Sequence, residues 1–315
     1  MLIKYGFCGK INIKDIRRGG CMKKIFLFLT VLGMIFSVGC GSSQNEAASD
    51  KPQIYCSFYG IYDFVSEIGG DKIDVYNIVP TGTEPHDWEP STRNMAELSN
   101  ADIIFYNGLG METWIDKVEA SVGENVEFVE LSDGIADEDS SNDPHIWLAP
   151  KNAEKMCEAI KNKLCDIDPE NSSYYESSYS NIQTEMEELD SEYIKALAPY
   201  KGGKIVVAHE AYSYLCDEYG LQQTAIEGLS AESEPSPSKM QELVNYIKDN
   251  NIKYVFYEEL VSPKVAQSLA DEAGAELLEL NPIEGLTDEQ IKNGDNYISI
   301  MRSNLENLKT ALGAE

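Results

Sequence analysis

The sequence predicts an α/β fold of two lobes, each a mainly parallel four-stranded sheet flanked by helices, joined by one long rigid helix. Two observations predict it. In the stretch from Asp168 to Tyr200, the apolar residues Tyr175, Tyr179, Ile182, Met186, Leu189, Tyr193 and Leu197 fall three or four apart, one stripe of a helix with 3.6 residues per turn. On each side of it lies a segment of just over about a hundred residues in which short apolar runs alternate with helical patterns, the signature of parallel strands covered on both faces.

The chain has 315 residues, enough for two domains of ordinary size. With 25 basic and 54 acidic residues its net charge of −29 argues against nucleic acid and against an anionic lipid surface as partners. Met22-Lys23-Lys24 opens a basic region and Ile25 to Val38 is an apolar run, too short to span a bilayer but suited to a signal peptide over 22–39. Gly39-Cys40 then resembles a bacterial lipobox, although Ser37 stands where that pattern prefers Leu. Cys40 is therefore the expected lipidation site and mature N-terminus, and polar residues 40–51 read as a tether. Because Met22 opens a complete signal, residues 1–21 are expected to be a mis-assigned start.

The first lobe, 52–167, begins with strand candidate Ile54 to Phe58 and a helix from Ile61 to Ile68 ended by Gly69-Gly70. Strand Ile73 to Val79 leads to a turn-rich loop, Pro80 to Pro90, and Ser91 caps a short helix. Strand Ile103 to Tyr106, helix Glu112 to Ser121, strand Val126 to Leu131, acidic loop Ser132 to Pro144 and helix Pro150 to Cys165 complete it. The linking helix, 168–200, has Asp168 as a cap, Pro169 in its first turn, and Pro199 with Gly202-Gly203 to close it. At 1.5 Å per residue it is a rod of roughly 45 Å. The second lobe, 201–315, has strands at Lys204 to Ala208, Gln223 to Ile226, Lys253 to Tyr257 and Glu276 to Leu280. One of its helices is capped by Ser236 with Pro237 following, and a last helix runs from about Asp295 to Leu312.

Of the seven cysteines, Cys8 and Cys21 precede the signal and Cys40 is the lipid site. Cys157 and Cys165 lie on one predicted helix about 12 Å apart, too far for a disulfide. With Cys56 and Cys216 they read as four buried, reduced, small hydrophobes.

Only three histidines occur, His86, His145 and His209. A lone histidine is usually a surface or satisfied core residue. Here each lies beyond the carboxyl end of a strand candidate, where open α/β sheets bind ligands, and both lobes contribute. That placement points to a metal site in a cleft. Two of them follow proline, in Glu84-Pro85-His86 and Asp143-Pro144-His145, which stiffens the turn that holds the ring.

These segments resemble a known family, the metal-binding solute receptors of bacterial zinc and manganese ABC importers, of the zinc type. The resemblance is carried by Gly82-Thr83-Glu84-Pro85-His86-Asp87-Trp88-Glu89-Pro90, by Asp143-Pro144-His145-Ile146-Trp147-Leu148 and by His209-Glu210-Ala211-Tyr212-Ser213-Tyr214. It continues in Gly228-Leu229-Ser230 with Glu234-Pro235-Ser236, in Leu280-Asn281-Pro282-Ile283-Glu284-Gly285-Leu286, and in Tyr297 with Met301-Arg302-Ser303-Asn304-Leu305. It implies a two-lobed receptor with Zn2+, its transported ligand, held between the lobes and passed to an ABC permease of the cytoplasmic membrane. It also supplies the fourth ligand, Glu284, just beyond the last strand candidate of the second lobe; its competitors, Glu258 and Glu259 after Lys253 to Tyr257, are read as supports behind the ligands or as plain structure, and Asp143 and Trp147 as supports. Manganese receptors resemble this chain but carry a carboxylate where His209 stands, and three imidazoles with one carboxylate suit zinc. The acidic loop 132–144 lacks the histidines that many zinc receptors have there. The expectation is therefore a monomeric, lipid-anchored receptor at the cell surface or in the periplasm. Alternatives within reach are a manganese or iron receptor of the same family and a surface adhesin. An enzyme is not expected, since four protein ligands close the shell and there is no His-Glu-x-x-His motif.

Overall fold

The computed structural model describes residues 51–135, 143–229 and 235–313. The signal segment, Cys40 and residues 40–50 of the tether lie outside the described residues, as do 136–142 of the acidic loop and 230–234. The first sheet contains β1 (Gln53–Cys56), β2 (Asp74–Asn77), β3 (Ile103–Tyr106) and β4 (Glu127–Glu130), in the order β2-β1-β3-β4. The second contains β5 (Lys204–Val207), β6 (Gln222–Ala225), β7 (Tyr254–Tyr257) and β8 (Glu276–Glu279), in the order β6-β5-β7-β8. Every pairing is parallel, with Ile54 between Val75 and Ile103 in the first sheet and Val206 between Thr224 and Val255 in the second. In each sheet the strand order reverses beside the first strand, between β1 and β3 and between β5 and β7. The loops leaving those strands splay apart there and open a crevice.

Helices α1 (Tyr59–Gly69), α2 (Thr92–Leu98), α3 (Ile115–Glu119) and α4 (Pro150–Ile167) belong to the first lobe. The rod is α5 (Ser172–Leu197), and α6 (Ser213–Tyr219), α7 (Pro237–Asp249), α8 (Lys264–Ala273), α9 (Asp288–Asn293) and α10 (Tyr297–Leu312) follow it. The rod's 26 residues span about 39 Å. Its buried residues are Tyr175, Ile182, Met186, Leu189, Tyr193 and Leu197. They join one hydrophobic cluster that takes in Ile54 and Phe105 of the first sheet, Ile205 and Phe256 of the second, and Met301 and Leu305 of α10. The rod is thus a spine inside a shared core, and the described residues form one compact unit. Buried Tyr193 pins it by donating its hydroxyl to the Met301 carbonyl at 2.6 Å.

Several expectations are corrected. Asp168 does not cap the rod; its carboxylate accepts from Asn171 Nδ2 at 2.7 Å and from the Tyr175 hydroxyl at 2.6 Å, which fixes the turn between α4 and α5. Single 3₁₀ turns, Pro169–Asn171 and Ala198–Tyr200, flank the α-helix. Helix α3 starts at Ile115, not Glu112, because the buried Glu112 carboxylate instead staples the loop after β3. It accepts from Ser57 Oγ at 2.6 Å, Asn107 N at 2.9 Å and Gly108 N at 3.1 Å. Helix α9 was not expected, although Thr287 and Gln290 form the reciprocal capping pair that announces it. All four described cysteines are free, and Cys165 is half-buried where the others are buried.

A polar contact ties α1 to the start of α10. Asp63 accepts from Tyr297 N at 2.8 Å and from the Tyr59 hydroxyl at 3.0 Å, and that hydroxyl also lies 3.2 Å from the Asp295 carbonyl. Burial pushes the Asp63 carboxyl up to about 6, against hydrogen bonds that pull it down. Its folded-state value therefore exceeds the unfolded one, so its contribution to stability is complete below about pH 4 and is lost as pH rises through about 6. Two units correspond to about 3 kcal/mol. Relative to Asp63→Asn, the unmodified chain should lose up to about that much unfolding free energy between about pH 4 and pH 7. Urea unfolding in a metal chelator measures it, and parallel pH profiles for the two proteins would contradict it.

Candidate metal centre

Each histidine is carried by a loop that leaves a strand, and each loop is held by its own polar contacts. His86 lies between β2 and α2. Both oxygens of Glu84 brace its turn, accepting from His86 N at 3.0 Å and Asp87 N at 3.1 Å, and Trp88 anchors the loop edge-on against Trp114 with ring centres 5.3 Å apart. His145 follows the acidic loop. Asp143 Oδ1 accepts from its backbone N–H at 3.0 Å and from its Nδ1 at 2.7 Å, while Asn107, at the end of β3, donates to the Pro144 carbonyl at 2.8 Å. His209 leaves β5, and Glu258 leaves the neighbouring strand β7. Both Glu258 oxygens lie 2.8 Å from His209 Nδ1. In His145 and His209 the Nδ1–H thus donates to a carboxylate, which turns the Nε2 lone pair the other way.

The Nε2 atoms of all three rings and Oε1 of Glu284 face one another. His145 Nε2 is 3.1 Å from His209 Nε2, 3.2 Å from Glu284 Oε1 and 3.3 Å from His86 Nε2. Glu284 Oε1 is 3.4 Å from His86 Nε2 and 3.5 Å from His209 Nε2. A tetrahedral shell with ligand distances of about 2.0–2.1 Å has edges of about 3.3–3.4 Å. The five separations scatter about that value. The side chains of His145, His209 and Glu284 are 0%, 1% and 3% exposed and that of His86 8%, so the point they enclose is dry and nearest to solvent past His86. Glu284 Oε1 is buried without any hydrogen-bond donor. A buried carboxylate oxygen without a donor, facing three ring nitrogens, suits a cation.

The electrostatics point the same way. Burial opposes charge on His86 and His209, but the Glu284 carboxylate raises His86 above its ordinary range and Glu258 with Glu284 raises His209 well above it. Burial likewise opposes charge on Glu284, yet His209 and His86 hold its carboxyl well below the usual range. Glu258, Asp143 and Glu284 together favour positive charge at the point where the rings meet.

The four expected ligands are therefore brought together, and they form the only such group of three or more His, Cys, Asp or Glu among the described residues. Asp143 and Glu258 sit behind two of the rings. Trp147 packs against His145, with ring centres 5.2 Å apart, and its indole N–H donates to the Pro282 carbonyl at 2.7 Å. Glu259 stands apart: burial pushes its carboxyl up to about 8, and neither oxygen has a partner. Sequence reasoning assigned no part to Glu84 or Asn107. Glu84 was visible two residues before His86, whereas Asn107 carried no local signal.

Two parallel sheets whose strand-end loops gather four metal-ligating side chains at one buried point define the class of a metal-ion receptor. The chain belongs to the family described as "ZnuA: Zinc-uptake complex component A periplasmic", whose model matches residues 54–311. It is 35% identical over 308 residues to the "High-affinity zinc uptake system protein ZnuA" of Bacillus subtilis, covering 91% of this chain and 97% of that protein. The "Zinc-binding lipoprotein AdcA" of Streptococcus pneumoniae is 36% identical over 312 residues, which cover 93% of this chain but only 62% of that longer protein. The crystal structure of the Zn(II)-bound ZnuA-like domain of AdcA matches with a TM-score of 0.75 at 36% identity, covering 83% of this chain and 99% of that domain. The laminin binding protein Lmb of Streptococcus agalactiae, described as bifunctional with adhesin and metal transporting activity, matches at TM-score 0.76 and 30% identity over 83% of this chain and 99% of its own.

Removing Asp143 or Glu258 should leave four donors but free a ring to rotate. Asp143→Ala and Glu258→Ala should each weaken zinc binding about tenfold to a hundredfold at an unchanged stoichiometry of one ion. Titration against a chromophoric chelator measures both quantities; lost stoichiometry would make the carboxylate a ligand, and unchanged affinity would remove its orienting role.

Proposed function

We propose that this chain is an extracytoplasmic receptor that captures Zn2+ on His86, His145, His209 and Glu284, in the cleft between its two lobes, and delivers it to an ABC permease. The observation that carries the reading is that five of the six donor separations lie between 3.1 and 3.5 Å, the edge length of a zinc-sized tetrahedron, with all four donor atoms within 4.8 Å of one another. Membership of a zinc-uptake family supports the transported ion and the permease partner. Zinc is cargo here, so a full protein shell serves capture, whereas catalytic zinc keeps a position open for water. We take the lobes to be 52–167 and 201–315, with 168–200 between them, and the working form to be a monomer.

Three imidazoles and one carboxylate rank zinc above manganese, which stands lower in the affinity order for nitrogen donors. Ligands from both lobes meet only in the native state, so zinc stabilises by mass action, about 2.7 kcal/mol at a hundredfold excess over Kd. On protein beginning at residue 51, competition calorimetry should show clear preference for zinc over manganese at pH 7, reduced by His209→Asp. His86→Ala, His145→Ala, His209→Ala and Glu284→Ala should each remove most of the zinc-induced rise in Tm. Equal or tighter manganese binding would refute the zinc assignment and leave the receptor standing.

Among the described residues no helix is long and apolar enough to cross a membrane. We assign attachment to a lipid on Cys40, supported by the basic start at Met22, the apolar run that follows it and the small residue before the cysteine. Cys40→Ala should release the protein from membranes or leave its signal uncleaved, read by fractionation and by mass. Normal processing with full membrane retention would exclude this anchor.

A further inference from the structure

The loop from Leu280 to Leu286 carries Glu284, and its backbone is gripped at successive positions. Asn304, on α10 and 1% exposed, holds both polar groups of Asn281: Oδ1 accepts from Asn281 N at 2.9 Å and Nδ2 donates to Asn281 O at 2.7 Å. Asn281 in turn accepts from Ile283 N through its own Oδ1 at 2.6 Å. Ile283 is fully buried with φ of 59°, a left-handed conformation that a β-branched residue rarely adopts and that costs of order 1–3 kcal/mol unless the surroundings impose it. Space is fitted to this conformation. A Cβ on Gly60 would lie 3.2 Å from the Ile283 carbonyl, and one on Gly285 would lie 2.8 Å from Leu260 Cδ1 and 3.6 Å from the carbonyl of Thr83, in the His86 loop.

We infer that Asn304 is a positioning residue for the metal site, acting through Asn281 and the left-handed Ile283 to aim the Glu284 carboxylate at the three imidazoles. The inference rests on Glu284 being a ligand, as proposed above. Asn304 touches no donor atom itself. Its bidentate clamp fixes where the loop leaves β8, and the Asn281 side chain then sets the turn at Ile283, immediately before Glu284. Without the clamp the loop is free to relax out of the left-handed turn, which draws Oε1 off the point shared by the rings.

The test measures zinc affinity by chelator competition, on protein beginning at residue 51, for Asn304→Ala, Asn281→Ala, Glu284→Ala and the double variant Glu284→Ala/Asn304→Ala. Asn304→Ala and Asn281→Ala should each lose about tenfold to a hundredfold in affinity. Asn304→Ala should cost nothing further in the Glu284→Ala background, because the group it aims is gone. The visible absorption of bound Co2+ should change in Asn304→Ala toward that of Glu284→Ala, a signature of altered coordination that a general loss of stability does not produce. Should Asn304→Ala fail to fold, Asn281→Ala decides, since it leaves the backbone clamp intact. Full affinity in the folded variants, or an equal loss persisting without Glu284, overturns the inference. Weakened binding in Glu284→Ala alone would strike only this inference, whereas full affinity in Glu284→Ala would also overturn the ligand assignment.

Discussion

Glu284 is a carboxylate taken almost entirely out of water, with one oxygen that accepts no hydrogen bond. Such a group is tolerated in a protein interior only where positive charge can sit against it. The rest of the molecule meets that requirement. Three imidazoles drawn from both lobes point their Nε2 atoms at the bare oxygen, and two more carboxylates, Asp143 and Glu258, stand behind two of the rings. A divalent cation completes the arrangement. None of the four donors lies close to another in sequence: the first two histidines are 59 positions apart and the second and third 64. No peptide segment could therefore assemble the centre without the fold.

The fold meets this need by rigidity. Both sheets are wholly parallel, and the four donors follow β2, β4, β5 and β8 beyond the sheets' carboxyl ends. The spine helix shares a continuous core with both. Across the interface, Trp147 donates its indole N–H to Pro282 O and accepts at its own carbonyl from the Tyr297 hydroxyl at 2.7 Å. Its ring packs on Phe58 with centres 4.7 Å apart. One residue beside His145 thus reaches the loop of Glu284 through its side chain and the last helix through its carbonyl. The rings of His145 and His209 and the loop of Glu284 are each held by contacts of the fold itself, which lowers the ordering cost of binding.

Much of this was legible in the sequence because it depends on local pattern. The rod was readable from the spacing of Tyr175 through Leu197, and the strands from short apolar runs bounded by turns. Six of the eight strand candidates run one or two residues past the end of the regular strand. Ile78 and Val79, for example, still donate to the Cys56 and Ser57 carbonyls at 2.8 and 3.2 Å beyond the end of β2, so the apolar run outlasts the regular ladder. The three histidines stood out through rarity and placement at strand exits. Glu284 did not, because acidic residues are abundant here and a carboxylate becomes a ligand only by where its loop is aimed. The supports of that loop, Asn281 and Asn304, are 23 residues apart and meet through backbone groups that no side-chain pattern encodes. The Asp168 cap failed for a related reason: a hydroxyl seven residues on, that of Tyr175, competes for the carboxylate that would otherwise bond backbone N–H groups.

The shared core has a consequence for the protein's lifetime outside the cytoplasm. One hydrophobic cluster runs through both sheets and the spine, so separating the lobes exposes core that they share, while each lobe also keeps a smaller cluster of its own, around Leu243 in one and Trp114 in the other. An ion held on the four donors proposed above would lower the population of those open forms that separate the donors. Proteases that act on transiently opened chains then discriminate loaded from empty receptor.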